Sequence, residues 1–119
     1  MRVMVIVKAS PESERGDMPT EQLLTEMGKY NEQLVKAGVM LAGEGLTPSA
    51  KGKRVRFSGT QRTVIDGPFA ESKELLGGFA VMDLSDMDET IAMCRRYAEI
   101  LGGTLEIDVR PVEQDEPSA

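Results

Sequence analysis

The chemistry open to this chain is that of carboxylates with a few cationic and aromatic neighbours, because its 119 residues include no histidine. That removes Ser-His-Asp and Cys-His nucleophiles, His-based zinc sites and the usual general base at neutral pH. No Walker loop and no GxGxxG pattern is present, and Gly43-Glu44-Gly45 is too short for a phosphate loop. Asp66 and Glu44 are the candidate catalytic residues. Asp66 stands where an extended run meets a Gly-Pro turn. A partly buried carboxyl at such a pocket mouth can act as general acid or base. The same residue suits an Asx-turn or cap, accepting N–H bonds from the turn it precedes. Glu44 lies in an otherwise apolar run between two glycines, where a buried carboxylate needs a partner. Either it faces a cavity and contacts a ligand, or it pairs with a cation such as Lys73 or Arg110.

Five further residues are candidate ligand contacts. Lys73 and Glu74 follow Phe69 at helical distances, so one of them can turn back toward the strand ends; a solvated face is the alternative. Tyr30 falls on the inward stripe of a helix and Phe69 beside the Gly-Pro turn, and both also read as core. Arg110 sits on the polar face of a closing strand. It could clamp a substrate carboxylate, or pair with Asp108 or Glu106 of a facing subunit. No metal or cofactor site is expected. The single cysteine, Cys94, forms no intrachain disulfide and reads as a small buried hydrophobe on a helix stripe.

Composition narrows the class. A chain of this length holds one domain, and 40% hydrophobic with 29% charged residues fits a globular protein. No apolar run is long enough to cross a membrane. The five apolar residues Val3–Val7 are too few for a signal-peptide core, so a cytoplasmic location is expected. The net charge of −6, the 4% aromatic content and the lack of Trp argue against nucleic acid as a partner. One stretch runs the other way. Lys51, Lys53, Arg54, Arg56 and Arg62 carry five positive charges with no acid between them, which leaves −11 on the rest of the chain. A protected, solvated strand edge and an anion-binding patch both fit that stretch.

The elements that must position these residues follow from periodicity. Residues 2–8 are apolar on both alternating faces, which predicts a central strand covered on both sides. Residues 9–19 read as a polar loop. Thr20 caps a helix whose apolar positions Leu23, Met27, Tyr30, Leu34 and Ala37 step by 4, 3, 4 and 3 up to Gly38. A strand over 39–46 follows, its glycines marking a bulge or a close approach. Residues 54–58 and 62–66 form a hairpin around Ser58-Gly59-Thr60-Gln61. Residues 78–84 form another strand. Ser85, with Asp88 three residues on, predicts the cap of a second helix bearing Met87, Ile91, Cys94, Ala98 and Leu101, stopped by Gly102-Gly103. A strand over 104–112 closes the domain, with Leu105, Ile107 and Val109 opposite Glu106, Asp108 and Arg110. The domain spans 1–112, and the acidic tail 113–119 is expected to be disordered. Two matching strand–helix–strand halves predict an α+β, ferredoxin-like sandwich. Its two helices cover one sheet face only, so a homodimer packed through the sheet faces is expected to bury the other.

Several stretches resemble the YCII-related family in its DGPF branch. They are Gly43-Glu44-Gly45-Leu46 with Pro48-Ser49, then Asp66-Gly67-Pro68-Phe69-Ala70-Glu71-Ser72-Lys73-Glu74, then Gly77-Gly78-Phe79, and finally Val109-Arg110-Pro111. The resemblance implies a dimeric α+β barrel of two ferredoxin-like units. Better-known relatives suggest lyase or isomerase chemistry with a His-Asp pair, and this chain has no histidine to supply one. The branch is also similar to partners of bacterial extracytoplasmic-function sigma factors, which implies a sigma-factor-type regulatory partner. Two functional readings result. One is a dimeric module that binds a small anionic ligand, or regulates, through a cleft near Asp66. The other is a lyase or isomerase acting on a small organic acid by carboxylate acid–base chemistry.

Overall fold

A computed structural model describes residues 1–69, 75–103 and 105–113. The elements run β1 (Arg2–Lys8), α1 (Pro11–Arg15), α2 (Glu21–Lys36), β2 (Met40–Gly45), β3 (Lys53–Ser58), β4 (Gln61–Asp66), β5 (Leu76–Asp83), α3 (Met87–Leu101) and β6 (Ile107–Pro111). Four strands form an antiparallel sheet in the order β2-β5-β1-β6, and β3–β4 form a separate hairpin. Leaving the hairpin aside, the order is that of a ferredoxin-like βαββαβ unit, and the chain is α+β as its pattern predicts.

Register decides which residues meet the helices. Val3, Val5 and Val7 of β1 stand opposite Met82, Ala80 and Gly78 of β5, and opposite Pro111, Val109 and Ile107 of β6. The core is built from this set: Val3, Val5 and Met82 are buried with Leu34 and Leu84, and Tyr30, Met40, Met93 and Cys94 pack against them. Met4 and Ile6 point the other way, level with Val81 and Phe79. No helix covers that second face among the described residues, and those four side chains are half-buried.

The capping chemistry is local. The Thr20 hydroxyl accepts the Leu23 N–H, as its position predicts. The stretch 9–19, read above as loop, holds a short helix instead. Ser10 and Ser13 cap each other reciprocally, Pro11 sets the first turn, and Gly16 ends it at φ +81°. Five residues carry no apolar period, so periodicity alone missed it. The cap of α3 is Asp86, one residue beyond Ser85. Asp86 Oδ1 accepts the Glu89 N–H at 2.8 Å, while Ser85 Oγ donates to the Glu89 carboxylate. The last strand is shorter than expected, and Thr104 lies outside the described residues. No helix among them is long and apolar enough to cross a membrane.

Candidate functional site

A cavity of about 240 Å³ lies between the helices and the β2–β5 side of the sheet. Tyr30 and Asn31 enter it from α2, one turn before the buried Leu34. Met93, Cys94 and Tyr97 enter from α3. The floor is Val5, Ala80, Met40 and Met82, ending in the glycines of β2 and β5. Gly45 leaves the space there open. Nothing lies within 4 Å of where a Cβ on Gly45 would stand. At Gly78 the reason is different: a Cβ would meet the Glu44 carbonyl oxygen at 3.0 Å, so a side chain there would push the strands slightly apart.

Among the described residues the polar side chains turned into the cavity are two phenols, a thiol and an amide. The Tyr30 hydroxyl donates to the Met93 carbonyl at 3.3 Å. Burial pushes up the pKa of Tyr97 and of Cys94. It also raises Tyr30, where the Arg96 guanidinium works against burial and Cys94 works with it. All three are therefore neutral at pH 7. The unfolded chain ionises these groups more readily, so the stability they carry is complete below about pH 9 and is lost as pH rises beyond it. Thermal denaturation should show melting temperature falling above about pH 9, with the first part of the fall removed in Cys94→Ala. A flat profile to about pH 10.5 would contradict this.

The structure distributes the residues singled out from sequence. Tyr30 lines the cavity. Glu44 contributes main chain to it, while its register opposite Phe79 turns the carboxylate to the uncovered sheet face. Arg110 shares that face, on β6. β2 and β6 are three strand spacings apart, about 14 Å, so the two side chains do not form a pair. Asp66 and Phe69 belong to a different place, the base of the hairpin. Lys73 and Glu74 lie outside the described residues.

At the hairpin base the Asp66–Phe69 turn is tied down through Ser49. The Ser49 N–H and hydroxyl donate to the two oxygens of Glu14 at 3.0 and 2.5 Å, and Ser49 Oγ accepts the Phe69 N–H at 3.2 Å. The Gly67 N–H donates to the Gly52 carbonyl at 3.0 Å. The Arg54 guanidinium lies 4.3 Å above the Phe69 ring. Asp66 itself is exposed and paired with Lys53 across the hairpin at 2.5 Å. The basic segment is accordingly an exposed hairpin, with Arg62 over Phe57 at 5.7 Å and with Val55, Phe57 and Val64 open to solvent. An exposed pair contributes less than about 1 kcal/mol. Asp66→Asn should therefore shift the urea midpoint little, and a loss above about 2 kcal/mol would show that the side chain holds the turn.

Sequence reasoning missed Asn31, Met93 and Tyr97. Of the predicted α3 stripe, Met87, Cys94, Ala98 and Leu101 are half-buried while Ile91 is exposed, and Thr90, Met93 and Tyr97 join the inward face. The available signal was Thr90, which satisfies its hydroxyl on the Asp86 carbonyl at 2.9 Å and so can be fully buried.

Comparison with known proteins agrees with this architecture. An uncharacterised protein, R00369, from Rhizobium meliloti (strain 1021) is 30% identical over 97 residues, covering 82% of this chain and 78% of that protein. The family model for the YCII-related domain matches residues 1–113, nearly the whole chain, and the chain belongs to the YCII-related family.

Proposed function

We propose that this chain is a dimeric small-molecule-binding module of a regulatory kind, and that the cavity between helices and sheet is its ligand site. The carrying observation is the chemistry of the cavity wall. It has volume, an apolar floor and a few hydrogen-bonding groups, which are the usual features of a binding pocket. Among the described residues it presents no carboxylate or amine side chain to move a proton: the carboxylates of Glu44 and Asp66 stand elsewhere. That arrangement favours binding without turnover over lyase or isomerase chemistry. The Gly77-Gly78-Phe79 end of the motif region lines the cavity, so the motif would shape the site through backbone more than through Asp66. The uncovered sheet face supports the dimer, because Met4, Ile6, Phe79 and Val81 need a cover that no helix among the described residues supplies.

Isothermal titration against a metabolite panel, with turnover assays on every ligand that binds, tests this reading. A ligand that binds and is recovered unchanged supports the module. A ligand converted to product supports the enzyme. A panel with no binder, on protein shown to be folded, sinks the pocket.

A further inference from the structure

We infer that the ligand of this cavity is a small, uncharged aromatic molecule carrying one hydrogen-bonding group, of the phenol or indole class. The inference rests on the cavity being a binding site. Charge comes first. Among the described residues no Lys, Arg or Asp lines the cavity, and Glu44, the acidic residue there, has its carboxylate turned by its register to the other sheet face. A charged ligand would leave water without a counter-charge in the described cavity wall, since Arg96 acts on Tyr30 but does not line the cavity, and that is a cost such a wall does not repay. The raised pKa values of Tyr30, Cys94 and Tyr97 fit the same surroundings.

Shape and softness come next. A volume of about 240 Å³ exceeds the roughly 150 Å³ that holds one benzene, and falls below the roughly 300 Å³ at which drug-sized pockets begin. One substituted ring or a fused pair fits. Four sulfur-bearing residues line that space: Met40, Met82, Met93 and Cys94. Thioethers make favourable contacts with aromatic rings, and the unbranched methionine chains adjust to a flat ligand. A saturated ring of equal size gains less from them. Among the described residues the Tyr97 hydroxyl and the Asn31 amide have no hydrogen-bond partner, whereas Tyr30 is engaged with Met93. They are the groups left to receive a hydroxyl or ring N–H.

The test is titration calorimetry of the whole chain with phenol, indole, benzoate, benzylamine and cyclohexanol. Phenol or indole should bind, with benzoate and benzylamine at least about tenfold weaker and cyclohexanol several-fold weaker. Tyr97→Phe should weaken phenol about five- to tenfold and leave toluene unchanged. Ala80→Leu, which fills the floor, should abolish binding while the melting temperature holds or rises. Preference for benzoate or benzylamine overturns the ligand class. Binding that Ala80→Leu leaves intact puts the ligand elsewhere and overturns the inference. If charged metabolites bind and Ala80→Leu removes them, the class is wrong and the pocket stands. If neither the probes nor the metabolite panel bind, both fail.

Discussion

Gly67→Ala is expected to destabilise the fold by about 3 kcal/mol or more, and to lower the melting temperature on the order of 10 °C. An added Cβ would lie 1.7 Å from the Ser49 carbonyl oxygen, 2.6 Å from its carbonyl carbon and 3.2 Å from the Ala50 Cα. All three are main-chain atoms, so no side chain can swing aside. Retreat is also blocked. The Gly67 N–H is bonded to the Gly52 carbonyl, and Ser49 is held from both sides by Glu14 and by the Phe69 N–H. Moving the turn far enough to admit a methyl breaks several of these bonds at once. Gly28→Ala is the control: it sits in α2 with nothing within 4 Å of its Cβ, and should gain up to about 1 kcal/mol from helix propensity. Thermal and urea denaturation of the pair decide the matter. A Gly67→Ala protein melting within a degree or two of the parent would mean that the turn is not held where the structure has it.

That prediction changes what the Asp66–Phe69 segment means. In sequence it stands out as a cluster of ionisable groups, which suggests chemistry. In space its described part acts through backbone contact, with Gly67 against Ser49, and through Phe69 under Arg54. Whether a glycine is required for close approach depends on what lies against it, and Ser49 is eighteen residues away in the chain.

The fold was more legible than the site for the same reason. Strand β1 announced its central place by being apolar on both faces, and Thr20 announced a helix start by local chemistry. These are signals within a few residues. The cavity is a gap among Tyr30, Ala80 and Cys94, which meet only after the sheet has formed. No single stretch encodes it. The helix stripe misplaced one position: Ile91 is exposed, while Thr90, polar by type, is buried with its hydroxyl satisfied within its own turn. Glu44 shows the limit most clearly. Its neighbours Gly43 and Gly45 face the cavity, and the pleat turns the carboxylate to the opposite side.

On the proposed sheet-face dimer, Ile6→Lys is expected to give a monomer, weakening self-association by at least about a hundredfold. Ile6 lies on the central strand with its side chain on the face away from the helices, beside Phe79 and near Met4 and Val81. If a second copy covers that face about a two-fold axis, one substitution places two ammonium groups in one apolar contact. Light scattering should give about 26 kDa for the parent and 13.0 kDa for the variant, and the melting temperature of the variant should lose its dependence on concentration. Ile6→Val, of similar shape, should remain dimeric. A parent protein that already scatters as a monomer would remove the sheet-face dimer. A dimer that survives Ile6→Lys would move the interface to another surface, with the exposed row of Val55, Phe57 and Val64 on the hairpin as the next to test. The same variant also separates assembly from binding. The cavity lies on the helix side of the sheet and Ile6 on the other, so a monomeric Ile6→Lys protein should still bind phenol or indole with unchanged affinity. Loss of binding together with the dimer would mean that the pocket is completed by residues of the second copy.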